Sequence, residues 1–470
     1  MAVSYIQSEE LCPEDIIYEI LSLLAVADII RSRKTCHRIR DASFQRDVWA
    51  AVYQTSEDLL LPPGPFASQT SAELEKILVR ATLLHLKWTS DSLSILPERR
   101  RSFPRELGMF QATVISARYL ILLEFDGMRC YDLDADHVDS PLLYYDHRRD
   151  VGQGRPYFLS YQINVKEEGL NNTWVAFGAG SKILILELGL DDSNLGVELL
   201  ALLPSDDVVA IKMERNYLIQ YRIIGSDLGT LQEEHIFHIP RKMTYKLPIP
   251  DGLWRYNLKH REYVIMPYCL IAMCALRDIG LRIDVYKLPT ETSLDSCKPP
   301  SRRLLLTHTH VYETDIVRFE VLESSFDTSS RSNTQARVRL LGLSYPDRNS
   351  PSWEAISRTA LCLLELILSP SGMLDIKETH SEEFALGFNN AGFTQTSQNG
   401  ICLAASHFIQ GVILGYYLRY GDQTSNSIVV KKIGLPIDIH SRRLLSFDGF
   451  RGRMAVVHKL GSRIEILDYA

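Results

Sequence analysis

The chain has 470 residues, 46% of them hydrophobic and 23% charged, with a net charge of −7. That balance is ordinary for a globular protein with room for one large domain and one small one. Nucleic-acid binding would ask for a basic stripe to neutralise phosphates, and a mildly acidic chain gives it no support.

The opening segment MAVSYIQSEE has neither a basic start nor a long apolar run, so no signal peptide is expected and the chain reads as cytoplasmic or nuclear. From Leu11 to Trp49 the apolar residues Ile16, Ile17, Ile20, Leu21, Leu23 and Leu24 recur at helical spacing. Pro13 suits a helix start because the first turn tolerates a missing N–H, and Glu14 and Asp15 sit at the positive end of the helix dipole. Asp28 is read as opening a second helix with Ile29 and Ile30 as its apolar face and Arg31, Arg33 and Lys34 in its last turn. A third segment, Cys36 to Asp41, and a Phe44/Trp49 pair complete a unit near the lower size limit for independent folding. Such a unit leans either on the rest of the chain or on a partner.

The order Pro13, Asp15-Ile16-Ile17, Ile20-Leu21, Leu24, Asp28-Ile29-Ile30, Cys36-His37-Arg38, Trp49 resembles the F-box. That motif docks substrate receptors onto the Skp adaptor of cullin-based ubiquitin ligases. The resemblance implies a Skp-type adaptor as partner, a cullin scaffold beyond it, and Pro13, Ile16, Ile20, Leu21, Leu24, Ile29 and Ile30 as the residues that bury against the adaptor. It departs at Cys12-Pro13, at Thr35 where a valine is usual, and at Ile39 where a tryptophan is usual. A hydroxyl at a buried Thr35 would need a hydrogen-bond partner.

Leu59 to Phe66, with three prolines and a glycine, is a turn or linker. Thr70 and Glu73 form a capping box, and Leu74, Ile77, Leu78, Ala81, Leu84 and Trp88 follow at three- and four-residue spacing. A helix of about eighteen residues, roughly 27 Å long, would couple the two ends of the protein rigidly.

From about Phe103 the apolar period changes to two, as in Leu281, Ile283 and Val285. Strand–turn–strand units centre on Asp126-Gly127, Gly178–Ser181, Gly225–Gly229, Asp278–Gly280, Pro346–Trp353, Phe408–Gly411 and Gly461-Ser462, about 50 residues apart. Several end alike: CYDL at 130–133, ILEL at 185–188, DVYKL at 284–288, LLEL at 363–366 and EILDY at 465–469. Seven such hairpins predict an all-β seven-bladed β-propeller with degenerate WD-like repeats. Ser324 to Gln335 and Pro346 to Trp353 read as polar loop insertions. The last blade reads as lacking an outer strand, and residues near Arg99 to Phe103 are the expected donor, which would leave no open edge there. The expected organisation is a helical adaptor-binding domain at 1–50, a linker and coupling helix at 51–98, and a propeller for substrate recognition at 99–470. As a whole this layout resembles F-box proteins abundant in mushroom-forming fungi, which implies an unknown protein substrate.

Other motifs invite weaker readings. The longest apolar run, Tyr263 to Leu276, is fourteen residues and carries Pro267, against roughly 20 for a membrane span, so no membrane partner is expected. Eight scattered cysteines without a CxxC pair read as buried free thiols. Asn171-Asn172-Thr173 fits a glycosylation acceptor in a surface loop. Gly178–Lys182 lacks the spacing of a phosphate loop. His308 and His310 share a strand face without a third metal ligand nearby, and Asp132, Asp134 and Asp136 lack the glycine and distal glutamate of a calcium loop. Glu233-Glu234 and Glu382-Glu383 are strand neighbours that point to opposite faces, so they do not form an acid/base pair. No cofactor and no catalytic residue is expected. The alternative reading is a propeller enzyme or lectin-like small-ligand binder whose N-terminal helices are structural.

Overall fold

The structure is a computed structural model. It describes residues 13–56, 59, 61–62, 64–89, 96–104, 111–115, 118–135, 140–165, 171–190, 195–206, 208–224, 231–248, 258–276, 280–289, 303–314, 316–326, 336–344, 359–369, 373–384, 401–407, 412–420, 426–433, 442–448, 452–458 and 463–469.

Five helices come first: α1 (Glu14–Ser22), α2 (Val26–Ser32), α3 (His37–Ala42), α4 (Arg46–Thr55) and α5 (Ser71–Thr89). Pro13 stands just before α1, whose first turn carries Glu14 and Asp15. Helix α2 begins two residues ahead of the expected Asp28, which instead lies in its first turn and pairs with Arg31 at 3.0 Å. Helix α4 extends the expected Phe44/Trp49 pair into nearly three turns. The capping box of α5 forms as the sequence predicts: Glu73 accepts from the Thr70 N–H at 2.7 Å, and the Glu73 N–H donates back to the Thr70 hydroxyl at 3.3 Å.

Strand β1 (Arg99–Pro104) then leads into seven antiparallel sheets. The first contains β2 (Gln111–Ile115), β3 (Tyr119–Leu123), β4 (Met128–Asp132) and β5 (Leu143–Tyr145), followed by one helical turn, α6 (Arg148–Val151). The second contains β6 (Pro156–Val165), β7 (Asn171–Ala179), β8 (Lys182–Gly189) and β9 (Gly196–Pro204). The third contains β10 (Val208–Glu214), β11 (Tyr217–Ile224), β12 (Leu231–His238) and β13 (Met243–Leu247). The fourth contains β14 (Leu258–Ile265), β15 (Cys269–Leu276), β16 (Gly280–Lys287) and β17 (Leu305–Tyr312). The fifth contains β18 (Ile316–Phe326), β19 (Ala336–Ser344), β20 (Thr359–Leu368) and β21 (Leu374–Phe384). The sixth has three described strands, β22 (Ile401–His407), β23 (Val412–Tyr420) and β24 (Asn426–Ile433). The seventh joins β25 (Arg442–Asp448), β26 (Arg453–His458) and β27 (Arg463–Asp468) to β1 as its outer strand. Neighbouring sheets touch all the way round: first strands lie side by side from β22 through β25, β2, β6, β10 and β14 to β18, and β21 touches β24, which closes the ring of a β-propeller. The donor strand runs where the sequence places it, with Arg99 opposite Asp468 and Phe103 opposite Ile464.

Period two is what builds the interior, because each blade buries one face against each neighbour. Along β15 the residues Cys269, Ile271, Met273 and Ala275 pack toward the fifth blade, while Leu270 and Ala272 pack toward the third. This double burial is the physical origin of the apolar run Tyr263 to Leu276, which is the β14–β15 hairpin. No described helix is long and apolar enough to cross a membrane.

Several local expectations need correction. In the β3–β4 hairpin Leu123 faces Met128 and Glu124 N–H donates to Gly127 O, so the turn is Phe125-Asp126 and not Asp126-Gly127. Gly127 has no positive φ; a Cβ there would lie 2.4 Å from Tyr145 O, so the requirement is close approach by β5. Phe408–Gly411 joins the first and second strands of its sheet, whereas the other six hairpins join second and third strands. Asn171–Thr173 open strand β7 and do not form a loop, and Thr173 is buried. Ser324 to Phe326 belong to β18. Gly178–Lys182 is a hairpin, with Gly180 at φ +59° in its turn.

Candidate docking face on the helical unit

The stripe on α1 and α2 splits in two. Ile17, Leu21, Val26 and Ile29 turn inward and form one core with Val48, Trp49, Val52 and Tyr53 of α4 and Leu74, Leu78 and Ala81 of α5. Leu21 is 2% exposed and Ile29 fully buried. Among the residues expected to bury against a partner, these two hold the unit together and are unavailable to one, because the sequence period identifies an apolar face but not which side of it the chain itself covers. Leu24 and Ile30 are half-buried along the edge of the same core. Pro13 is exposed, Ile16 is 45% exposed and Ile20 51%, and Leu23 beside them is 83% exposed. Ile16, Ile20 and Leu23 follow at i, i+4 and i+7, so they form one continuous ridge on α1. Leu23 was legible by that spacing although it was not among the expected contacts.

Arg33 fixes the shape of the unit behind this ridge. Its guanidinium makes two 2.8 Å bonds to the Glu75 carboxylate of α5, donates to Ser43 Oγ at 2.8 Å, and lies 4.2 Å from the centre of the Phe44 ring. Trp49 donates from Nε1 to Ser43 O at 2.8 Å. Arg46 adds bonds to Gln69 O at 2.9 Å and Phe66 O at 2.8 Å, tying α4 to the approach to α5. Thr35 is exposed, not buried, and its hydroxyl donates to Ser32 O at 2.7 Å, so its polarity costs nothing here.

The far end of α5 meets the shared seventh blade. Lys87 Nζ donates to Tyr469 O at 2.6 Å and pairs with Glu98, while the Glu98 N–H donates to Asp468 O at 2.7 Å. Buried Leu84 presses on Gly452, at φ +56°, where a Cβ would come within 2.3 Å of the leucine. In the same blade Asp468 accepts from Arg453 Nε at 2.5 Å and Arg101 Nη2 at 2.8 Å, and Arg453 also reaches Asp134 at 3.0 Å.

Ionisable residues of the ring are arranged in pairs across strands and blades. Glu234 is buried against Arg261 of the next blade at 2.6 Å, and burial pushes its carboxyl up, opposed by that guanidinium. Glu233 points the other way, to Lys246 and His235, so the two glutamates do not converge, as strand geometry requires. Lys212 and Glu262 pair between inner strands. Asp132 is held by Arg118, and Asp136 lies outside the described residues. His308 and His310 stack on the outer strand β17 with centroids 6.3 Å apart. Among the described residues no cluster of three or more His, Cys, Asp or Glu is placed to hold a metal. Cys130, Cys269, Cys274 and Cys362 are buried free thiols whose pKa burial raises to about 12, 12, 11 and 12, so they stay protonated near neutrality, while Cys36 is exposed. Glu382-Glu383 lie in β21, and their side chains fall outside the described residues.

No family model and no curated protein matches the chain. Similar solved structures exist. The WD40 domain of SCAP from fission yeast superposes with TM-score 0.41 at 12% identity, covering 77% of this chain and 84% of that one. Semaphorin 1a from Drosophila, extracellular domains 1-2, gives TM-score 0.39 at 9% identity, covering 81% and 88%. Sqt1 from Chaetomium thermophilum gives 0.37 at 11%, covering 77% and 83%.

Proposed function

We propose that this chain is the substrate receptor of an SCF-type ubiquitin ligase, docking a Skp-type adaptor through α1 and presenting a protein target on the propeller. The observation that supports this is the ridge of Pro13, Ile16, Ile20 and Leu23, exposed on a unit whose interior is already complete. An apolar ridge that no other described residue covers is what an external partner would cover. Leu24 and Ile30 would form its edge. The helical unit is fixed to the ring through α5, which suits a receptor whose contribution is proximity and orientation rather than chemistry of its own.

The test is co-expression with a Skp-type adaptor followed by affinity capture. Ile20→Asp places a charge in the desolvated interface and should lower capture at least tenfold, since an unpaired buried charge costs several kcal/mol, about 3 to 5. Ile20 is solvent-exposed in the chain itself, so the substitution leaves the fold intact, unlike changes at Leu21 or Leu24. Capture undiminished by Ile20→Asp, or no capture of the wild-type chain, refutes the proposal.

A further inference from the structure

Helix α5 and the seventh blade border a pocket of about 310 Å³ whose lining is almost wholly charged. Lys76 and Arg80 of α5, Arg99 of β1 and Arg453 of β26 contribute cations; Glu98, Asp134 and Asp468 contribute carboxylates. The carboxylates are already engaged. Asp468 accepts from Arg453 and Arg101, Asp134 accepts from Arg453, and Glu98 pairs with Lys87. With Arg101 and Lys87 included, this corner holds six described cations against three described carboxylates. Lys76 and Arg99 are exposed and pair with no described carboxylate. Lys76 and Arg80 are four residues apart and so share one face of α5. Arg101 donates to Leu133 O at the pocket's edge, and its Nε is buried without a hydrogen-bond partner. Burial pushes the Arg101 guanidinium down from its ordinary range; Asp468 opposes this, while Arg453 and Arg99 press the same way as burial. Like charges are therefore crowded here with too few counter-ions.

We propose that this pocket binds a small free anion carrying two phosphoryl groups, which bridges α5 and the seventh blade. Arg80 and Arg99 supply planar forks suited to phosphoryl oxygens, and Lys76 supplies a point charge. The surplus of three positive charges matches a diphosphate better than a monophosphate. Because its walls come from the helical unit and from the ring, a bound anion clips the two together. This is independent of the receptor reading and holds whatever docks on α1.

The test is calorimetric titration of the full chain with pyrophosphate at low ionic strength, with hydrogen exchange read on the same sample. One site per chain should saturate, and amides of α5 and β1 should exchange more slowly with the anion bound. Lys76→Gln and Arg99→Gln, both at exposed side chains, should each weaken binding about tenfold, the loss of roughly one charge-assisted contact, and leave the ligand-free thermal midpoint unchanged. Lys182→Gln, an exposed cation on the second blade, should leave affinity unaltered. Absent binding, equal affinity for sulfate, protection confined to other elements, or the same loss from Lys182→Gln as from Arg99→Gln overturns the proposal. A phosphoserine hexapeptide that binds more tightly than pyrophosphate also overturns it, by assigning the pocket to a phosphorylated side chain.

Discussion

Asp468→Asn should unlatch the ring. Asp468 is buried and accepts from both Arg453 of β26 and Arg101 of β1, the strand that completes the seventh blade from the other end of the sequence. Asparagine keeps the shape but removes the charge, leaving two largely buried guanidiniums short of a counter-ion. Breaking a buried pair from one side costs about 3 to 5 kcal/mol. Arg453 retains Asp134 at 3.0 Å and Arg101 retains Leu133 O, which argues for the lower end, about 3 kcal/mol. At 1.4 kcal/mol per decade, that corresponds to about a hundredfold faster local opening. Hydrogen exchange with mass spectrometry on the intact chain reads this directly: amides of β1 and β27 should exchange about a hundredfold faster, while those of β15 keep their protection. Arg31→Ala serves as a control, because its pair with Asp28 is exposed on both sides and lies away from the seventh blade, so its loss should cost less than about 1 kcal/mol. Protection of β1 within threefold of wild type, or equal losses in every blade, would refute the idea that this carboxylate holds the closure.

Three further substitutions bear on other contacts. Arg33→Ala removes a bidentate ion pair and the stacking on Phe44 and should destabilise the helical unit by about 2 to 3 kcal/mol, seen as faster exchange in α4; Arg33→Lys should rescue little, since an ammonium cannot form the fork. Gly127→Ala drives a methyl against Tyr145 O and should cost about 1 to 3 kcal/mol in urea denaturation, whereas Gly196→Ala, with nothing within 4 Å of its Cβ, should be near neutral. Burial holds the His235 imidazole below its ordinary range, with Glu233 partly offsetting it. The unfolded chain then takes up a proton first as pH falls below about 6.5, so stability is lost from there down through the depressed folded value. His235→Gln should flatten the fall in thermal midpoint between pH 7.5 and 5.5, and an unchanged slope would count against this assignment.

What could be read from the sequence depended on the range of the interaction. The capping box of Thr70 and Glu73 acts over three residues and forms as written. The blade count and the β1–β27 closure were also legible, because period two and turn residues recur along the chain and the unpaired last blade needs a donor. Gly127 was misread because what constrains it is Tyr145 O, on a strand that the turn itself does not reveal. The sixth-blade hairpin was placed one strand too early for a related reason: β22 pairs with β23 and β23 with β24, both antiparallel, so each connection joins paired strands and only the order within the sheet shows which is the second-to-third one. Glu234 with Arg261, and Arg33 with Glu75, are partners distant in sequence that no local pattern announces.

The split of the α1 stripe has the same cause and a functional consequence. A helix of this length presents one broad apolar face, and its composition does not say where the chain's own contacts end. Helix α4 decides it: α1 packs on α4, which takes Ile17 and Leu21 into the core beside Val48, Trp49 and Val52 and leaves Ile16, Ile20 and Leu23 outside, and α4 in turn packs on α5. Helix α5 is the element that Leu84 and Lys87 fasten to Gly452 and Tyr469 in the shared blade. The residues that close the ring therefore also set the direction in which the exposed ridge points. A partner docked on α1, as proposed, would be held at a fixed distance and angle from a target on the propeller, and loosening the seventh blade should loosen both together.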